Sequence, residues 1–205
     1  MMLIGIIDYG MGNLGSVANA FECLGCTTRV ATEPQALADV DRIVLPGVGA
    51  FGDGINNLRT GGWIPALDKQ VREGKKPFLG LCLGMQLLAS RGTEHGEWDG
   101  LDWIPGIVTR ITPTDSSIRI PHIGWNDVEV VKHEGLYRNV NGEQSFYFVH
   151  SYAFHPEDKS SVSAWCQHGE RFAASVELGN IFATQFHPEK SQRCGLAVLR
   201  NFLNA

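Results

Sequence analysis

A chain of 205 residues, 43% hydrophobic and 19% charged, can bury a sizeable core without disulfide or metal staples, and its length suits one domain. A net charge of −5 and a pI near 5.8, with no basic run, exclude the broad cationic footprint of a nucleic-acid binder. The opening MMLIGIIDYG has an apolar patch of about five residues closed by Asp8, too short for a membrane span and lacking the charged start of a secretory signal, so a soluble cytoplasmic protein is expected.

Strand and helix patterns alternate through the first half. LIGIID (3–8) is a short β-branched run that ends in the glycine-rich turn YGMGNLG. Val17, Ala20, Phe21 and Leu24 then recur at helical spacing, with Asn13 or Ser16 as N-cap candidates. TTRVAT (27–32) reads as a strand, Pro34 suits the first turn of a short helix through Ala38, and RIVLPG (42–47) is a buried strand. Ile64, Leu67 and Val71 share one face of a helix predicted over 64–73, stopped by Gly74. PFLGLC (77–82) is a fourth strand, and LGMQLLAS (83–90) is expected to continue as a helix.

From Gly106 the pattern changes to short alternating runs: GIVTRI, DVEVV, SFYFVHSY, SVSAWCQ, FAASVEL and IFATQFH. Turn signals separate them, and Leu178-Gly179-Asn180 reads as a hairpin. A final helix is expected from Gln192 to Leu203. The expected fold class is therefore α/β: a mostly parallel twisted central sheet flanked by helices, with an antiparallel β-rich extension in the C-terminal half. No repeat, low-complexity tract or linker interrupts it, so residues 1–205 read as a single domain.

Five cysteines (Cys23, Cys26, Cys82, Cys166 and Cys194) are odd in number and thinly spread, which argues against a disulfide framework. Cys23 and Cys26 form a C-x-x-C pair with no second pair or nearby histidine, and Gly25 divides them between two elements. Cys82 differs from the others. Gly80-Leu81-Cys82-Leu83-Gly84 places a thiol where a strand hands over to a helix, bracketed by glycines that relieve crowding at a sharp turn. There the helix N-terminus favours thiolate over thiol, and the Leu83 amide is placed to hold an oxyanion.

A cysteine nucleophile needs a base, and the base needs an orienting partner. ATQFHPEKS (183–191) offers both in His187 and Glu189, which point the same way if the segment is extended. Pro46-Gly47-Val48-Gly49, directly after a strand, supplies a flexible turn at the carboxyl edge of the sheet, where ligands of α/β proteins bind. The other six histidines (His95, His122, His133, His150, His155 and His168) show no metal-ligand spacing, so no metal and no cofactor is expected.

Taken together and in this order, PGVG, GLCLGMQ and QFHPE closely resemble the triad-type (class I) glutamine amidotransferase family, across nearly the whole chain. Within it, GIIDYGMGNLGSV, LPGVGAF, PHIGWN and FYFVHSYAF are most similar to the branch of glutaminase subunits that serve imidazole glycerol phosphate synthase. The resemblance implies that Cys82 attacks the side-chain amide of L-glutamine and releases ammonia from a glutamyl thioester. His187 would be the base and Glu189 its orienter. Val48, after a turn rearrangement, and Leu83 would form the oxyanion hole, while Gly47, Gln86, Ser151 and Tyr152 would bind the substrate.

It also implies a partner, a (β/α)8-barrel cyclase-synthase subunit that receives the ammonia in histidine biosynthesis, with Trp125, Tyr147 and Lys190 at the interface. Three rivals remain: a paralogue feeding another synthase, such as one aminating a surface-polysaccharide sugar; a non-catalytic glutamine-binding regulatory subunit; and a cysteine peptidase on a related fold.

Overall fold

The computed structural model describes residues 2–140, 142 and 144–205. Strand β1 (Leu3–Ile7) leads through the glycine turn into helix α1 (Leu14–Cys23), capped by Asn13, whose Oδ1 accepts from the Ser16 amide at 3.3 Å. Gly25, at φ +83°, ends this helical segment, so Cys23 closes α1 while Cys26 lies just before β2 (Thr27–Ala31). A 3-10 turn over Pro34–Asp39 precedes β3 (Arg42–Leu45).

Helix α2 (Phe51–Thr60) is not signalled by the sequence pattern, because Gly52 and Gly54 lower helix propensity in its first turn. Packing explains them. A side chain at Gly52 would strike the Trp98 ring, and one at Gly54 would lie 3.0 Å from Leu83 Cδ2. The Phe51 amide is held from outside the helix by Glu94 Oε2 at 2.9 Å.

Helix α3 (Trp63–Leu67) runs directly into a π-helical stretch, Asp68–Glu73, so the periodic segment is helical throughout but changes its winding. Strand β4 (Phe78–Leu81) then meets α4 (Leu83–Gln86), a single turn rather than the helix expected through Ser90. The carbonyls of Leu87, Leu88 and Ala89 are taken by amides of residues 101–104. A returning loop thus replaces the next helical turn.

The remaining elements are β5 (Arg91–Gly92), β6 (Trp98–Asp99), β7 (Gly106–Arg110), β8 (His122–Val130), β9 (Ser145–His150), β10 (Tyr152–Pro156), β11 (Val162–His168), β12 (Glu170–Leu178), β13 (Ile181–Thr184) and α5 (Gln192–Phe202). Strand β8 starts well before the predicted DVEVV run. SFYFVHSY, read as one strand, divides at Ser151 into β9 and β10, which belong to different sheets. The β12–β13 hairpin pairs Leu178 with Ile181 around Gly179, at φ +60°.

One nine-stranded sheet has the order β2-β1-β3-β4-β13-β12-β11-β8-β9, and a four-stranded sheet the order β10-β7-β5-β6. The large sheet is parallel from β2 to β13 and antiparallel from β13 to β9. Strands β8, β9 and β11 to β13 of the β-rich half therefore extend the same sheet, while β7 and β10 join the small one. Ile7, Leu45, Phe51 and Phe78 pack on one face, and Ile4, Ile6, Phe21 and Phe202 on the other. Burial on both faces explains the nearly unbroken apolar runs of β1, β3, β4 and β13, while the edge strand β2 is largely exposed. At their carboxyl edge, β3 delivers Pro46 and Gly47, β4 delivers Cys82, and β13 delivers Gln185 and His187.

Candidate active site

Cys82 adopts φ +53° and ψ −105°, a backbone conformation that side chains rarely take. Its amide donates to the Thr184 carbonyl at 2.8 Å, while its carbonyl accepts from the Met85 and Gln86 amides that open α4. The bracketing glycines have a steric cause. A Cβ at Gly80 would sit 2.6 Å from the Gly84 carbonyl oxygen, and one at Gly84 would collide with the carbonyl of Leu45. Strand, bend and helix can close on one another only without those side chains.

His187 follows β13, its amide donated to the Tyr147 carbonyl at 2.9 Å. Its Nδ1 meets Glu189 Oε1 at 2.8 Å, and both side chains are almost wholly buried. The contact is not made along an extended segment, as the sequence pattern suggests. Pro188–Lys190 forms a 3-10 turn, closed by the Lys190 amide on the His187 carbonyl and fastened by Ser191 Oγ on the same oxygen. Burial disfavours a charge on His187. Its interactions with the Cys82 sulfur and the Glu189 carboxylate outweigh that and push its pKa up to about 10. Buried imidazole Nε2 makes no ordinary hydrogen bond.

The PGVG turn lies against the elbow. The Leu83 amide donates to the Gly47 carbonyl over a long 3.4 Å, so in this state it is occupied. Gly47 must lack a side chain because Leu83 Cβ would lie 2.8 Å away and the Tyr9 hydroxyl closer still. Val48 is 43% exposed, and Gly49, at φ +109°, leaves the turn in a conformation suited to glycine. Tyr9, which the motifs do not point to, is buried with its hydroxyl unpartnered, and burial together with the nearby Cys82 sulfur raises its pKa.

A cavity of about 480 Å³ opens above Cys82, lined by Val48, Leu83, Gln86, Ser151 and Tyr152 among others. Most of the predicted substrate residues therefore share one space with the thiol, while Gly47 does not line it and packs against Leu83 beside the elbow. Gln86 is not solvated. Its Nε2 donates to the Tyr152 carbonyl at 2.9 Å and to Gln185 Oε1 at 3.0 Å, leaving its own Oε1 to offer to a ligand. The Ser151 carbonyl is taken by the Ile111 amide at 2.9 Å. Glu94 and His95 also line the cavity, without any signal in the sequence motifs.

Four further polar residues escape motif reading. Gln185, fully buried, donates from Nε2 to Cys82 Sγ at 3.6 Å. The pairing of Thr184 with Leu81 sets Gln185 abreast of Cys82, so strand register is the signal that finds it. His150 Nδ1 contacts the Tyr152 carbonyl at 2.8 Å, its Nε2 contacts His122 Nδ1 at 3.0 Å, and His122 Nε2 meets Asn126 Nδ2 at 3.1 Å. His168 stacks on His122 with ring centroids 4.0 Å apart. Burial pushes the pKa of His122 down to about 3 and that of His150 to about 4, so both are neutral near pH 7. Histidines dispersed in sequence thus gather across β8, β9 and β11. Among the described residues no group of three or more His, Cys, Asp or Glu is arranged to hold a metal ion.

Trp125, Tyr147 and Lys190 also come together. Trp125 and Tyr147 are cross-strand partners on β8 and β9 with rings edge to face at 6.4 Å, and Lys190 Nζ lies 5.9 Å from the centre of the Tyr147 ring. Trp125 is 49% exposed and its neighbour Ile123 60%. Together they form an aromatic patch close behind the His187 turn.

Residues 5–205 match the family described as glutamine amidotransferase class-I. The chain is 48% identical over 200 residues to imidazole glycerol phosphate synthase subunit HisH 1 of Campylobacter jejuni, covering 98% of each chain. Against subunit HisH of Geobacter sulfurreducens identity is 44% over 206 residues, again 98% of each. In fold it is similar to PurLQS from Thermotoga maritima (TM-score 0.77, 21% identity, 99% of this chain and 98% of that one) and to a crystal structure of a glutamine amidotransferase (TM-score 0.75, 23% identity, 98% and 97%).

Proposed function

This chain belongs to the class-I glutamine amidotransferase family, and we propose that it is the glutaminase subunit of imidazole glycerol phosphate synthase. The near full-length identity to HisH subunits supports that reading, and one observation carries the chemistry: Cys82 lines the same cavity as Gln86 and interacts with the buried His187, which Glu189 holds by Nδ1.

Thiolate Sγ of Cys82 attacks the side-chain amide carbon of L-glutamine, opening its C=O to an oxyanion. The imidazolium of His187 gives its proton to the amide nitrogen as the C–N bond breaks, so ammonia departs and a glutamyl thioester remains. Water then adds to the thioester, His187 takes its proton, and glutamate leaves with the sulfur again a thiolate beside imidazolium. Glu189 holds Nδ1–H throughout, keeping Nε2 toward the sulfur.

The resting turn is unready to hold an oxyanion, because the Leu83 amide is engaged by Gly47. Turning the Gly47–Val48 peptide over would free the Leu83 amide and bring the Val48 amide beside it, giving two donors. Gly47 and Gly49 give that turn its freedom. Gln86 Oε1 and the backbone at Ser151 and Tyr152 are the groups assigned to the α-amino and carboxylate ends of glutamine.

Free ammonia in water becomes ammonium and stops being a nucleophile, so its consumer should dock on this chain. The partner is read as a (β/α)8-barrel cyclase subunit in a one-to-one complex, seated on the patch of Trp125, Tyr147 and Lys190. Trp and Tyr are common interface anchors. Among the described residues no helix is long and apolar enough to cross a membrane, and a cytoplasmic, single-domain protein needing no cofactor fits this role.

The test is reconstitution with a histidine-pathway barrel subunit. Glutamine-dependent product formation is expected, abolished by Cys82→Ala, while ammonium salts still support the partner's reaction in that variant. Absence of any stimulation by the barrel would move the assignment to a paralogue serving another synthase. Loss of both activities in Cys82→Ala would mean that the cysteine is structural.

A further inference from the structure

The Tyr152 carbonyl can only accept hydrogen bonds, and it lies 2.9 Å from Gln86 and 2.8 Å from His150. That fixes the direction of the chain that leaves it. The Gln86 atom facing it must be the amide nitrogen, and the second hydrogen of that nitrogen points to Gln185, 3.0 Å away, which must answer with its oxygen. Gln185 is then left with only its amide N–H to turn toward Cys82 Sγ, at 3.6 Å. Its backbone is pinned by the Ala174 carbonyl at 2.8 Å, and its side chain is fully buried. The sulfur therefore meets a donor there, while its thiol hydrogen can reach the Val149 carbonyl, 4.0 Å away.

We propose that Gln185 is a positioning residue for the nucleophile, its amide N–H holding the Cys82 sulfur in one rotamer and stabilising it as the anion. His187 faces the thiolate as its proton partner, whereas Gln185 is a second contact that never takes a proton. A buried hydrogen bond to a charged acceptor is stronger than one to a neutral acceptor, so the contact tightens when the thiol ionises. Orientation by Tyr152 through Gln86 prevents the amide from flipping to present its oxygen, which would repel the anion. The consequence for turnover rests on the glutaminase reading above, but the sulfur contact is testable in the resting protein.

The purified full chain is alkylated with iodoacetamide across a range of pH, and modification of Cys82 is followed by peptide mass spectrometry. Gln185→Met removes the donor, and the rate–pH curve for Cys82 is expected to move up by about one pH unit, near tenfold slower on its rising limb. Gln185→Glu, with an acceptor facing the sulfur, should move it further in the same direction. With the partner bound, Gln185→Met should lower kcat by roughly three- to tenfold and leave KM nearly unchanged. A packing role would lower the melting temperature and leave the curve in place.

Should both Gln185 variants fail to fold, Gln86→Met decides, because it frees the Gln185 amide to rotate and should produce a smaller upward displacement. An unchanged curve in whichever variants fold overturns the proposal. A displaced curve in a protein whose wild type lacks glutaminase activity would instead sink the functional reading and leave the sulfur contact standing.

Discussion

At the scale of single residues, the informative feature is how unequally the two carboxylate oxygens of Glu189 are used. Oε1 holds His187 Nδ1 at 2.8 Å, while buried Oε2 has no hydrogen-bond partner. A carboxylate desolvated for one contact contributes little to the fold, since lost hydration offsets much of the attraction. Its value lies in fixing the imidazole tautomer. Removing it alone still strands the buried imidazolium, so Glu189→Gln should cost up to about 3–5 kcal/mol of stability while lowering glutamine-dependent kcat by roughly 10²- to 10⁴-fold in the protein that remains folded. An amide that turns its N–H toward Nδ1 would force the proton onto Nε2, the atom that must receive it from the thiol. Denaturant unfolding and steady-state kinetics on the same preparation check both halves. A folded variant that keeps most of the wild-type kcat would mean that the carboxylate is mainly structural.

Among elements, the elbow between β4 and α4 separates glycines that must be glycine from those that need not be. At Gly84 a methyl group would strike the backbone of β3, which cannot move without disturbing the centre of the sheet. Gly84→Ala should cost upwards of about 3 kcal/mol and displace Cys82. A methyl group at Gly15 in α1 would have nothing within 4 Å of it, and Gly15→Ala should raise stability by about 0.5–1 kcal/mol. Thermal melts of the two variants should thus move in opposite directions. The elbow is legible in the sequence because bracketing glycines and a change of hydrophobic period coincide there. So are β1, β3, β4 and α5, whose apolar patterns are unambiguous, whereas the mostly exposed β2 reads only from its β-branched residues. Helix α2 is hidden by glycines whose purpose is close packing, and the early end of α4 by a loop that takes its carbonyls. The break at Ser151 is invisible because β9 and β10 are both apolar and extended, and only the change of sheet divides them. Cys82, His187 and Glu189 can be read from local motifs, whereas Gln185, His150 and Tyr9 join the site through register and tertiary contact, which no local pattern carries.

Over the whole molecule, buried histidines set opposing pH responses. The pKa of His187 stands at about 10 in the folded protein against 6.5 when free. A folded protein that binds its proton more tightly is stabilised below about pH 6.5, and that contribution is lost as pH rises through about 10. His122 and His150 work the other way, with folded values of about 3 and about 4. The unfolded chain takes up their protons first, so their contribution is complete above about pH 6.5 and disappears as pH falls toward those values. The groups facing them include His168, stacked on His122, and His187, whose positive charge further disfavours a proton on His150. No ion pair with a carboxylate among the described residues relieves either ring. Stability should therefore peak near pH 6.5, with an acid limb steepened by up to about 1.4 kcal/mol per pH unit for each histidine. His122→Gln removes one of these protons while its amide can still donate to His150, so its melting temperature should fall less than that of the wild type between pH 6.5 and 4. On the alkaline side, Cys82→Ala takes away the sulfur that raises His187, so that variant should lose less between pH 7 and 10. Parallel melting curves for wild type and His122→Gln throughout the acid range would show that the histidine cluster is not what destabilises the sheet in acid.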